Sequence, residues 1–373
     1  MELKNIDYLC REKMTDELNS EKVDKTALSL YHQGVESRDS GEINDALISF
    51  YECTKTAPAC PLGWYGMANI YYNNKQEYDS AFKYSLQGVK AANLSVYPEY
   101  RYLDLGKILF DSANKLLKGI DITGINKNLA VELEHRGKMK IYYKDYIQSE
   151  FSSFLGFGPN YPENHHCIVY NSELPDYGYR ILHELTHLKL LIHNYELGVS
   201  FPFTFGEKVY QSFFSKNIAK YQNQYGSMDF KLLNRMISKH FTILFAMLTT
   251  SIVDMFVDYE IYSHMENVRP YQLLSLVKEV ERQDERVQKL KNEIPQDIFD
   301  VLAILSHLGH LNLQELYGVY RNTEILLSPA SEKNAKEIFQ IYMDAIDKTN
   351  YFEHVRQVLD SIAERLDIRY FIE

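Results

Sequence analysis

A chain of 373 residues, 45% hydrophobic and 24% charged, is long enough for two or three domains and has the balance of an ordinary soluble globular protein. Its net charge of −11 argues against general nucleic-acid binding, which needs a basic footprint. The four cysteines, Cys10, Cys53, Cys60 and Cys167, form no CxxC pair and no ligand spacing. They read as small core thiols of a reducing compartment. The N-terminal stretch carries charges throughout and lacks the apolar core of a secretory signal. The longest apolar run, 241–253, is too short to span a bilayer and ends in Asp254. A cytoplasmic protein without a membrane span is expected, and delivery by a route without a Sec signal is compatible with the same features.

After an N-terminal extension, residues 1–25, the chain repeats. "LYHQGVESRDSGEINDALISFYECTKTAP" contains Gly34, Ala46, Phe50 and Pro58. "WYGMANIYYNNKQEYDSAFKYSLQGVKAA" contains Trp64, Met67, Ala68, Tyr71 and Ala81. Gly34 and Ala68 stand one 34-residue period apart. A third helix, "YLDLGKILFDSANKLL", opens alike with Tyr102, Leu105 and Gly106. Its partner is expected to be missing, because "KGIDITGINKN" breaks the pattern with glycine and β-branched residues. The stretch resembles the tetratricopeptide repeat over two and a half repeats. That resemblance implies helical hairpins over residues 26–120 that recruit a protein segment.

The hydrophobic period then changes. "KMKIYYKD" (138–145) and "HHCIVYNSEL" (165–174) read as strands, the second as an edge strand, with the loop "GFGPNYPEN" between them. Next comes "YRILHELTHLKLLIH" (179–193), a helix with apolar side chains on most sides. From about 208 to the end the chain reads as helical, including one or two long buried helices over "KLLNRMISKHFTILFAMLTTSIVDMFVDYEIYSHM". The expected fold class is mainly α with an α+β core, the core spanning residues 121–265 and a helical C-terminal region 266–373.

The helix 179–193 carries the chemistry. His183 and His187, four residues apart, lie about 40° apart around a helix and one turn apart along it, so both imidazoles can reach one ion. Zinc accepts this pair and leaves room for a further protein ligand and a water. Glu184, next to the first histidine, can serve as general base and pass the proton on to a leaving amine. His183-Glu184-x-x-His187 resembles the HExxH motif of zincin metallopeptidases. "IVYNSELPDYGYRILHELTHL" is also similar to the strand-turn-helix of ImmA/IrrE-type metallopeptidases. The resemblance implies a Zn2+ site, a peptide or protein substrate, and substrate pairing along the strand beside the helix.

Several residues compete for the third ligand. His193 stands where the metzincin pattern HExxHxxGxxH has its last histidine, but Leu190 replaces the glycine that turns the chain there, so the helix should continue. Asp254 and Asp258 are two carboxylates one turn apart in an apolar helix, costly to bury unless paired or metal-bound. They resemble the ExxxD of gluzincins, with aspartate as in aspzincins, which implies Asp254 as ligand and Asp258 behind a ligand histidine; the reverse is also open. Glu207 has a suitable distance from the motif but Gln211 stands four residues on. Glu196 and Glu260 are weaker candidates. His307 and His310 read as a core pair, and His165, His166 and Cys167 alternate between faces of their strand. Tyr262 and His264 lie near the acidic pair in sequence, but with 30 tyrosines in the chain the sequence singles out no donor to an oxyanion.

The expectation is a zinc-dependent metallopeptidase with tetratricopeptide-like repeats that present the substrate. Its rival is a binding or regulatory protein whose zincin-like core is inactive, which a closed four-ligand site would favour.

Overall fold

The structure is a computed structural model of residues 1–373 and describes residues 24–92, 99–147, 153–156, 165–197, 207–226, 228–319, 325, 327–346, 348 and 354–366. Cys10, most of the N-terminal extension and residues 157–164 of the expected loop lie outside the described residues. Among the described residues the protein is mostly helical, with one small sheet. It divides into two compact units. One comprises residues 1–120, 267–277 and 313–322; the other comprises residues 121–266, 278–312 and 323–373.

The first unit holds α1 (Lys25–Asp39), α2 (Ile43–Thr56), α3 (Pro61–Asn69), α4 (Tyr78–Ala91) and α5 (Glu99–Leu116). Asp24 caps α1, its side chain accepting from the Thr26 and Ala27 amides. Pro61 opens α3, where its missing N–H is not needed. A π-helical turn, Ile70–Lys75, continues α3 and ends at Gln76 in the left-handed region. Each helix from α1 to α5 packs on the next.

Phe50 of α2 is the centre of this packing and is fully buried. Gly34 on α1 and Gly66 on α3 flank its ring. A Cβ added at either position would lie 2.6 Å or 2.5 Å from a ring atom, so only glycine allows both helices this close. Residues 267–277 and 313–322 belong to the same unit and are tied to each other by Tyr317, whose hydroxyl donates to Gln272 Oε1 at 2.8 Å. Tyr102 donates to the Gly318 carbonyl at 2.6 Å.

The second unit begins with α6 (Ile122–Gly137). The expected break at "KGIDITGINKN" is present but short, a 3-10 turn at Leu117–Gly119 followed by the non-helical Ile120 and Asp121; against expectation, the stretch is helical from Ile122 on. Asp121 then caps a new helix, accepting from the Gly124 amide at 2.9 Å. Burial of Leu129 and Leu133 and the bond from Asn126 Nδ2 to the Gly178 carbonyl outweigh the weak intrinsic propensity of Ile, Thr and Gly. Lys138, in the left-handed region, ends the helix.

The sheet contains β1 (Lys140–Asp145), β2 (Ser153–Gly156) and β3 (His165–Tyr170) in the order β1-β3-β2. β1 runs parallel to β3 with Lys140 opposite His165. β2 runs antiparallel to β3 with Leu155 opposite Ile168. β3 is therefore the central strand, not the edge strand expected from its sequence. Its buried run Cys167-Ile168-Val169 suits a strand covered on both faces and paired on both sides. The short β2 supplies the pairing that the sequence did not announce.

The remaining helices of this unit are α7 (Tyr177–Glu196), α8 (Glu207–Tyr225), α9 (Phe230–His264), parts of α10 (Arg269–Leu290) and α11 (Gln296–Tyr317), α12 (Pro329–Ile346) and α13 (Val355–Arg365). α9 is one continuous helix of 35 residues. Asp229 caps it by accepting from the Lys231 and Leu232 amides. Phe241, Leu244, Leu248, Ile252 and Phe256 of α9 pack with residues of α8, α11, α12 and α13 in one apolar core. Among the described residues α9 is long and apolar enough to cross a membrane by length and composition, beyond the shorter run seen in the sequence. Within its most apolar window 56% of the helix is buried inside the protein, as in the core helix of a soluble protein.

Candidate metal centre

Two helices build the site. α7 follows β3 after a turn and carries the histidines. Leu182, Leu185, Leu188 and Leu190 are buried on its other faces, which fixes its rotation and leaves His183 and His187 half-buried toward α9. α9 carries Asp254 and Asp258 one turn apart. The acidic pair thus comes from a helix anchored by the apolar core it shares with α8, α11, α12 and α13.

The ligand atoms form a small triangle. His183 Nε2 and His187 Nε2 are 3.1 Å apart. Asp254 Oδ1 is 2.9 Å from His187 Nε2 and 3.5 Å from His183 Nε2. The two rings meet edge to face, with centroids 4.7 Å apart and planes at 76°. Ligands placed 2.0–2.2 Å from a tetrahedral zinc lie about 3.3 Å from one another. The three observed separations bracket that value. His183, His187 and Asp254 are thus able to hold a metal ion, and among the described residues they are the one group of three such side chains that converges. Two imidazoles and one carboxylate suit zinc and leave the fourth tetrahedral vertex without a ligand from this group.

Behind the triangle, Asp258 Oδ1 faces His183 Nδ1 at 3.6 Å. Its other oxygen accepts from Asn312 Nδ2 at 3.0 Å. Asn312 lies on α11, and sequence reasoning missed it, since a lone asparagine in an apolar helix carries no motif. Glu184 is buried on α7 between the two histidines in sequence. Lys189 Nζ on α7 pairs with Glu260 Oε1 on α9 at 2.6 Å, a second tie between the same helices.

The electrostatics follow from this crowding. Burial alone would lower the His183 pKa, but the hydrogen-bonding Asp254 carboxylate and the charges of Asp254, Asp258 and Glu184 outweigh it and hold the imidazolium at about 9. Burial likewise opposes ionisation of Asp254, yet its two histidine partners keep its pKa well below the ordinary carboxylate range. The centre is therefore organised for positive charge, which a cation would supply in place of a proton.

The other candidates lie elsewhere. α7 runs on through Leu190 to Glu196, and His193 sits in its last turn, outside the converging group. Glu207 is exposed at the start of α8 and accepts from Gln211 at 2.6 Å. Glu196 pairs with Arg136. Glu260 pairs with Lys189 and also faces His264. His310 Nε2 lies 2.9 Å from Asp284 Oδ2, and the His307 ring stacks near it. His165 and His166 lie on β3 with Cys167 and form no ligand group with it. Tyr262 and His264 stand at the end of α9, near Glu260.

Compared with known protein families, curated proteins and solved structures, the chain matches none.

Proposed function

We propose that the protein is a zinc-dependent metallopeptidase. The observation that carries this reading is the triangle of His183 Nε2, His187 Nε2 and Asp254 Oδ1, with sides of 3.1, 2.9 and 3.5 Å. Its support is the HExxH spacing on α7 together with the carboxylate from α9. A zinc ion held by these three side chains would supply a water acidic enough to attack at neutral pH and would polarise the scissile carbonyl.

The chain's own residues have the remaining tasks. Glu184 accepts a proton at its carboxylate and returns it to the departing amine nitrogen. Asp258 orients the His183 ring from behind through Nδ1, leaving Nε2 for the ion. The fold supports this reading in a zincin-like core built from β3, α7 and α9. Among the described residues the sheet edges that an extended substrate could join are those of β1 and β2, because β3 is paired on both sides. The helical hairpins of the first unit, with their tetratricopeptide-like spacing, would recruit the protein substrate or a partner. The composition and charge of the chain favour the cytoplasm.

The experiment is peptide hydrolysis by the purified full-length protein, with metal content measured in parallel. Glu184→Gln is expected to keep bound zinc and to lose at least roughly a hundredfold in hydrolysis, the scale of a general base. Retention of full hydrolytic activity by this variant would refute the mechanism. A zinc-loaded wild type that cleaves no member of a diverse peptide library would favour the binding-protein alternative.

A further inference from the structure

A short polar ladder leads away from the ligand triangle into the core of the second unit. Its members are His183, Asp258 and Asn312. Asp258 presents one oxygen to His183 Nδ1 and the other to Asn312 Nδ2. Asp258 and Asn312 are 3% and 2% exposed. Around Asn312, α11 buries Leu305, Leu308 and Leu313.

An amide in such surroundings is costly unless its polar atoms are paired. Asn312 uses its nitrogen on Asp258, while its Oδ1 has no hydrogen-bond partner among the described residues. A leucine there would satisfy the core better if the core were all that mattered. The bond also fixes which way the amide faces, since a flipped amide would turn its oxygen toward a carboxylate.

We infer that Asn312 is a positioning residue of the metal centre. Its N–H holds Asp258 Oδ2, so that Oδ1 stays toward His183 Nδ1 and the ring keeps Nε2 in the triangle. An untethered carboxylate can rotate about its Cβ–Cγ bond, and the Asn312 donor restricts that rotation. The segment of α11 that carries Asn312 is itself held. Asp284 on α10 accepts from Ser306 Oγ at 2.8 Å and lies 2.9 Å from His310 Nε2, all three being buried. The inference rests on the reading that the triangle binds zinc, and it extends the site to a helix far along the chain from the HExxH motif.

The test is titration of the metal-free full-length protein with Zn2+ against a competing chelator, and with Co2+ followed by its visible absorption. Asn312→Leu keeps the branched shape of the side chain and removes the donor. It is expected to weaken zinc binding by roughly ten- to a hundredfold, the usual worth of a group that orients a metal ligand, and to alter the cobalt spectrum. Asp258→Leu should weaken binding likewise, and the double variant should lose no more than Asp258→Leu alone. A purely structural role would lower the melting temperature of the metal-free protein and leave the affinity and spectrum in place. Zinc affinity of Asn312→Leu within about twofold of wild type overturns the inference and spares the metal-site reading. Failure of wild type to bind zinc overturns the metal-site reading, and the inference with it. Should Asn312→Leu not fold, Asn312→Ser, too short to reach Asp258, is judged by the same affinity criterion.

Discussion

His187 Nε2 lies 2.9 Å from Asp254 Oδ1, a contact between two helices that are far apart in the chain. Through it α7 and α9 share one charged centre, and the ligand set depends on how those two helices meet. Removing the carboxylate should therefore weigh on metal binding far more than removing any of the other acids or histidines considered as third ligand. Asp254→Ala is expected to lower zinc affinity by roughly a hundredfold or more, while His193→Ala and Glu207→Ala stay within about twofold of wild type. Chelator competition on the purified variants checks this. Equal losses for His193→Ala and Asp254→Ala would show that the wrong third ligand had been assigned.

A zinc ion held by this group would have to displace a proton from His183. In the metal-free protein the ring is protonated at pH 7, because its pKa is held at about 9. An unfolded histidine titrates near 6.5. The raised value means that this group's contribution to stability is fully present below about 6.5 and is lost as pH rises through about 9. The depressed Asp254 pKa reports the same interaction and is not counted again. Zinc affinity should rise with pH by up to about tenfold per unit until near pH 9 and then level off. Calorimetry at pH 7 in two buffers of different ionisation enthalpy should register release of about one proton from this ring per zinc bound. A pH-independent affinity between 7 and 9 would contradict the assignment.

Two histidines away from the site make the fold sensitive to acid. His240, bonded to Tyr221, and His307 are both pushed down to about 4, in each case chiefly by burial. Below pH 6.5 the unfolded chain takes up their protons first. Stability from each is intact above 6.5 and falls toward pH 4, by up to roughly 1.4 kcal/mol per pH unit per histidine. Urea unfolding at pH 7 and pH 4.5 should show the drop, and His307→Leu should remove part of the slope. An unchanged slope in that variant would show that His307 is protonated in the folded protein.

Phe50 leaves no room for a methyl group on either side. Gly66→Ala should destabilise the first unit by about 1–3 kcal/mol through overpacking. Phe50→Leu in the same chain should recover part of the loss by yielding space where the ring edge stood. Chemical denaturation of the two variants decides it, and a Gly66→Ala protein as stable as wild type would mean that α3 shifts freely.

The histidines and carboxylates that meet at the candidate site each left a mark in the sequence. His183 and His187 did so through helical spacing, and Asp254 and Asp258 through being carboxylates in an apolar helix. Charge in a hydrophobic pattern is legible because it is costly. Asn312 left no such mark, since a neutral amide scarcely disturbs the pattern. The fold was legible where period dominates, as in α7 and α9. It was not legible at α6, where the Asp121 cap and buried leucines prevail over poor helix formers. Nor was the place of β3 in the sheet, which depends on β2, a strand of four residues.

Lys189 and Glu260 clasp α7 to α9, two residues beyond His187 on one helix and six beyond Asp254 on the other, and the leucines of α7 pin it from behind. The helices are held in place by groups that an ion does not touch. The ion would be a tenant of this protein and not its keystone. Stripping it should leave an intact, vacant receptacle, so that different divalent metals can be exchanged and compared in one unchanged scaffold.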